Sequence, residues 1–196
     1  MINRFSICLS FPTFTYHYKY PYFCMKVFKD IATKGKSTMG WYIGFKLHLL
    51  CNEKGEIINF NLTKANVDDR NENVMNALTD KVFGKLYADK GYISQTLFGR
   101  LWDKGVHIVT GLRSNMNQKL MPLYDKIMLR KRSVIESVND MLKNVAQIVH
   151  TRHRSLHNFI MNILAAMGAY CFFSTKPHVN FDYEIPPSDG QLVIWQ

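Results

Sequence analysis

Two strands joined by a tight turn, followed by helices alternating with strands, leave this chain few folds to choose from. Residues 41–51 mix aromatic, β-branched and bulky residues with Lys46 and His48 and read as a strand. Asn52-Glu53-Lys54-Gly55 is a turn with glycine well placed, and residues 56–63 form a second strand, so the pair is a β-hairpin. Asp68 or Asp69 is expected to cap a helix reaching about Leu78, because a carboxylate accepts free N–H groups of a first turn. Residues 85–88 are a short buried strand. Ser94 is expected to cap a helix that runs to about Asp103 and stops at Gly105, and residues 106–110 are another strand. A long helix is predicted from about Lys131 to His150, with Val134, Val138, Met141, Leu142 and Val145 on its apolar face. Such alternation predicts an α/β domain with helices packed on a mixed sheet.

The remaining segments read differently. Residues 1–25 are dominated by Phe, Tyr, Thr and Pro and contain no acid, so they form an atypical N-terminal segment. Residues 26–40 are basic and glycine-punctuated and read as a loop, and residues 111–129 as a linker containing Pro122. The tail, 177–196, carries Pro186 and Pro187 and is expected to be irregular. Residues 156–173 are apolar enough to raise the question of a membrane span, but His157, Asn158 and Asn162 favour a buried C-terminal helix. Pro12, His17, Lys19 and Pro21 interrupt the aromatic run at 5–24, which argues against a signal peptide. Cys8, Cys24, Cys51 and Cys171 form no metal-ligand spacing and read as reduced, buried thiols of a cytoplasmic protein. His150, His153 and His157 fit a solvated or phosphate-facing basic helix better than a zinc site.

A formal net charge of +10 points to a polyanionic partner, since Lys and Arg gain affinity by releasing counterions from phosphate. Against that background two carboxylates stand out. Asp89 ends the run Leu86-Tyr87-Ala88 and opens a Lys90-Gly91-Tyr92 turn, at the carboxyl end of a strand, where open α/β sheets place their ligands. Glu136 falls on the long helix, with Arg132 four positions before it and Lys143 seven after, both on the same helical face. Each has a plainer reading: Asp89 as a turn former, and Glu136 as a solvated partner of Arg132.

The segments KVFKDIATKGKSTMGWYIGFKLHLL, NVDDR, YADKGY and RSVIE together resemble the catalytic domain of DDE transposases from bacterial insertion sequences, most like the family numbered nine-eight-two. The resemblance runs from Lys26 to about Val179 and sets a catalytic domain at 26–176. A related signature is Tyr, two residues, Arg, three residues, Glu, six residues, Lys. Arg132, Glu136 and Lys143 match it, and Leu129 stands where the tyrosine would be.

The resemblance implies an RNase H-like mixed β-sheet flanked by helices. It implies metal-dependent strand cleavage and transfer on DNA, with Asp89 and Glu136 as catalytic and metal ligands for Mg²⁺ or Mn²⁺. Arg132 and Lys143 would hold phosphates, and Lys90 and Tyr92 would shape the turn or touch DNA. Partners would be insertion-sequence ends and target DNA, in a possible homo-oligomer, with no membrane. The first of three carboxylates should lie on the first, central strand, yet residues 1–25 have none. Asp30 lies in the basic loop and is a poor substitute. The expectation is therefore a truncated or frameshifted N-terminus, with the first strand missing or replaced and residues 4–9 (RFSICL) as the replacement. Inactivity alone follows. The alternatives are a non-catalytic basic DNA-binding remnant, or an RNase H-like nuclease using another acid.

Overall fold

The central strand of the sheet comes from the segment of least orthodox composition. In the computed structural model, which describes residues 5–17, 28–37, 40–112, 116, 120–149, 155–179 and 192–194, strand β1 spans Phe5–His17. It fills the place expected to be missing or replaced. Pro12 is tolerated because the pairing slips between Pro12 and Phe14, a bulge where the missing N–H breaks no regular ladder.

Strands β2 (Thr33–Ser37), β3 (Gly40–Cys51) and β4 (Ile57–Lys64) lie to one side of β1. Strand β3 pairs antiparallel with β1 along one edge. Along its other edge it pairs with β2 through Gly40–Gly44 and then with β4 through Phe45–Cys51. On the far side of β1, strands β5 (Gly84–Ala88) and β6 (Val106–Thr110) run parallel to it. The sheet is thus mixed, with β1 between an antiparallel half and a parallel half.

The pleat sorts side chains into two cores. One face sends Ile7, Phe11, Phe45, Leu47, Leu49 and Tyr87 against helices α3 (Leu123–Lys131), α4 (Val134–Asn144) and α5 (Leu156–Cys171). The other sends Cys8, Leu50, Leu86 and Ala88 against α1 (Glu72–Leu78) and α2 (Gln95–Asp103). Phe28, in the segment read as a basic loop, is buried edge-on against Phe45 and Phe159, with ring centroids 5.9 and 5.6 Å away. That same segment also supplies β2.

Several boundaries move for local reasons. Asn71 caps α1 by accepting from the Asn73 and Val74 amides, while Asp68 and Asp69 are engaged elsewhere. Ser94 precedes α2 as expected but makes no side-chain cap bond. The predicted linker at 111–129 contains β7 (Leu120–Pro122) and most of α3, which starts directly after Pro122 because proline suits a helix entrance. The predicted long helix is split at Arg132 and Ser133 and ends at Asn144. Residues 192–194 add β8 to β7 as a separate two-stranded pair.

Cys8 and Cys51 are buried, and burial pushes both thiols up to about 12. Cys171 is exposed at the end of α5, which corrects the expectation of buried thiols, and Cys24 lies outside the described residues. His150 and His153 also lie outside them, and His157 is exposed on α5. Among the described residues no helix is long and apolar enough to cross a membrane.

Candidate functional site

Strand β5 delivers Asp89 to the carboxyl edge of the sheet. The chain turns there because the Asp89 carboxylate accepts the Lys90 amide at 2.7 Å and its carbonyl accepts the Tyr92 amide at 3.0 Å, closing one short helical turn. The carboxylate remains 58% exposed. Glu136, in the first turn of α4, is equally exposed. Between them stands Arg132, 20% exposed at the α3–α4 junction. Its Nη2 is 3.9 Å from Asp89 Oδ1 and 3.6 Å from Glu136 Oε1. The structure therefore joins two carboxylates from distant parts of the sequence through one guanidinium. Both separations exceed hydrogen-bond range, so attraction is Coulombic and leaves the oxygens open to water.

The other expected residues separate. Lys143, at the last turn of α4, sets its ammonium 5.1 Å from the Phe11 ring centroid on β1. Lys90 is exposed beside Asp89. Tyr92 is buried with Cys8, Leu86 and Leu97, and burial holds its hydroxyl well above its ordinary value. Its side chain lies beneath the turn, 3% exposed.

A pair of divalent cations needs several anionic oxygens around it. Asp89 and Glu136 are suitable in kind, but each faces Arg132. Among the described residues no three acidic, histidine or cysteine side chains cluster as a metal site. The register of β1 against β5 shows what lies level with Asp89. Phe5, Ser6 and Ile7 pair with Lys85, Leu86 and Tyr87. Continued two residues, the same parallel register brings position 9 level with Asp89, and position 9 is leucine, paired on its other side with Leu49. Among the described residues the donor set does not fit a two-cation centre.

Other acids nearby already have partners. Asp69 accepts from Lys46 Nζ at 2.9 Å, and Lys46 also donates to the Val67 carbonyl. His48, fully buried and bonded to Thr63 at 2.9 Å, has its pKa lowered to about 4, chiefly by burial, with Lys46 adding to the effect and Asp69 opposing it. Asp68 is gripped by the Arg70 guanidinium, whose hydrogen bonds hold the carboxyl down to about 2. Asp125, unremarked in the sequence, is 3% exposed on α3 and accepts from Lys85 at 2.7 and 2.9 Å and from Tyr87 at 2.6 Å. Its signal was the alternation of Lys85 and Tyr87 along one strand face, which needs a buried acceptor opposite.

Beside the Asp89 turn opens a groove of about 640 Å³, bounded by Lys34, Lys36 and Trp41 on one wall, by Lys46 and Asn66–Arg70 on the other, and by Gly91 at its end. Its parts come from β2, β3, the loop after β4 and the turn after β5, so no contiguous motif announces it.

Comparison with known proteins places these features in context. A family model described as a transposase DDE domain matches residues 22–156, more than half of the chain. No curated protein is a significant match. A cryo-EM structure of the piggyBac transposase synaptic complex with hairpin DNA is similar in fold, with a TM-score of 0.53 and 10% sequence identity. The similarity covers 87% of this chain and 46% of that one, so the chain spans less than half the length of the protein it matches.

Proposed function

The chain belongs to the transposase DDE-domain family, and from that premise we propose that it is a DNA transposase catalytic domain that retains its grip on DNA but does not cleave it alone. The observation that carries this reading is the meeting of Asp89 and Glu136 at Arg132, on the carboxyl edge of a mixed sheet with the RNase H-like strand order. The inactivity rests on the leucine at position 9, level with Asp89 where a first carboxylate would complete the set. Asp89 and Glu136 would be donors to Mg²⁺ or Mn²⁺ in such a centre, which would supply Lewis-acid activation. The donors of this chain stop short of that.

The protein's own contribution is then phosphate binding. Arg132, Lys143 and Lys90 are the candidates for contacts to insertion-sequence ends or target DNA, within a net charge of +10. Association with further copies of the chain belongs to the same reading. A nuclease using another acid is less well supported, because Lys46 and Arg70 already hold Asp69 and Asp68.

The test compares wild type, Asp89→Ala, Glu136→Ala, Leu9→Asp and Leu9→Asn. Duplex binding by wild type is expected to weaken steeply as salt rises, without Mg²⁺- or Mn²⁺-dependent nicking of supercoiled DNA. Leu9→Asp is expected to raise Mn²⁺ affinity, read by electron paramagnetic resonance, roughly tenfold or more over Leu9→Asn, a similar perturbation without the charge. Wild-type nicking that both alanine variants abolish would reveal a complete ligand set and overturn the inactivity. Absence of duplex binding would overturn the reading as a whole.

A further inference from the structure

An indole with two lysines beside it forms one wall of the groove next to Asp89. Trp41 is 51% exposed at the start of β3. Lys36 is its direct cross-strand partner and Lys34 pairs with Ile43, so both lysines share its face of the sheet. Their ammonium groups lie 4.6 Å (Lys34) and 5.8 Å (Lys36) from the ring centroid.

The opposite wall is held in place. Gly35 lets the loop after β4 approach closely: a Cβ there would come 2.6 Å from the Ala65 carbonyl oxygen, backbone that cannot yield easily. Thr33 donates to Asn66 Oδ1 at 2.9 Å, tying the same loop to β2. Within the groove, Lys46 offsets Asp69 and Arg70 offsets Asp68. Its lining holds four cationic side chains, Lys34, Lys36, Lys46 and Arg70, against the two carboxylates, so its formal charge is positive. Gly91, two residues past Asp89, lies at its end, where a side chain would meet nothing within 4 Å.

An exposed indole with the Lys34 ammonium over its ring and the Lys36 ammonium close by suits a nucleobase that takes the ammonium's place on the ring and turns the lysines toward its adjoining phosphates. Stacking needs a base free of its own neighbours, since the face of a base inside a duplex is already covered. We propose that this groove binds an unpaired nucleotide of a DNA strand, with Trp41 stacking on the base and Lys34 and Lys36 holding the adjoining phosphates. The placement beside Gly91 would hold that nucleotide next to the Asp89–Arg132–Glu136 cluster. This rests on the DNA-binding reading above.

The experiment measures binding of full-length protein to one labelled duplex and to the same duplex carrying a short single-stranded oligothymidylate overhang. Wild type, Trp41→Ala, Trp41→Phe and Lys34→Gln/Lys36→Gln are compared. Trp41→Ala is expected to weaken overhang binding roughly tenfold, the loss of one base–aromatic stack, and to leave plain duplex binding within about twofold. Trp41→Phe should recover most of the loss, and the double lysine variant should lower the salt dependence for the overhang DNA. Equal losses on both DNAs, or no loss on either, would overturn the stacking site while leaving DNA binding intact. Failure of wild type to bind the duplex at all would overturn the underlying reading instead.

Discussion

Strand β5 carries two carboxylate environments that differ in almost every respect. Beneath it, Asp125 is buried and bonded at 2.6–2.9 Å to Lys85 and Tyr87. At its end, Asp89 and Glu136 are exposed and sit 3.6–3.9 Å from a shared guanidinium. The first arrangement satisfies every partner and holds α3 to the sheet. The second leaves oxygen atoms facing solvent and contributes little to stability, which marks a surface kept for something outside the fold.

That contrast can be broken in order of size. Asp125→Ala removes the acceptor shared by the buried Tyr87 hydroxyl and the partly exposed Lys85 ammonium, and should cost about 2 kcal/mol in urea unfolding. His48 is an intermediate case, buried with one short bond and a carboxylate 4.0 Å away. Because its folded pKa of about 4 lies below its unfolded value, the unfolded chain binds the extra proton as the medium acidifies. Stability from this group is full near neutrality and falls between about pH 6.5 and 4, by about 2 kcal/mol at pH 5. Unfolding measured at pH 7 and pH 5 should show that loss in wild type and much less of it in His48→Gln. Asp89→Ala and Glu136→Ala should each change stability by less than about 0.5 kcal/mol, and a larger loss in either would show that the exposed pair is structural after all.

The same contrast explains what could be read from residues alone. Asp89, Arg132 and Glu136 were legible because a turn and a helix each keep their spacing locally. Strand β6 was legible because its apolar run is bounded by Gly105 and the polar stretch after Thr110. Strand β1 was obscured by Pro12, whose meaning changes once the bulge is seen. The entry of α3 was obscured by Pro122, a residue that opens helices as readily as it interrupts them. Asp68 and Asp69 suggested a cap that Asn71 provides, because Arg70 and Lys46 hold both acids away. The groove and the Asp125 cluster depend on residues brought together by the sheet, and periodicity carries no trace of such meetings.

Arg132 has a consequence for any ion arriving at the exposed pair. A guanidinium attached through its own backbone cannot diffuse away, so it acts as a tethered competitor whose local concentration dilution never lowers. An incoming cation must compete with it, whereas removing free metal leaves one guanidinium still offsetting half of the pair's negative charge. The domain is thereby insulated from the metal supply around it: chelation should leave its fold intact, and occupancy at the pair should begin only where a mobile ion outcompetes one that is permanently moored.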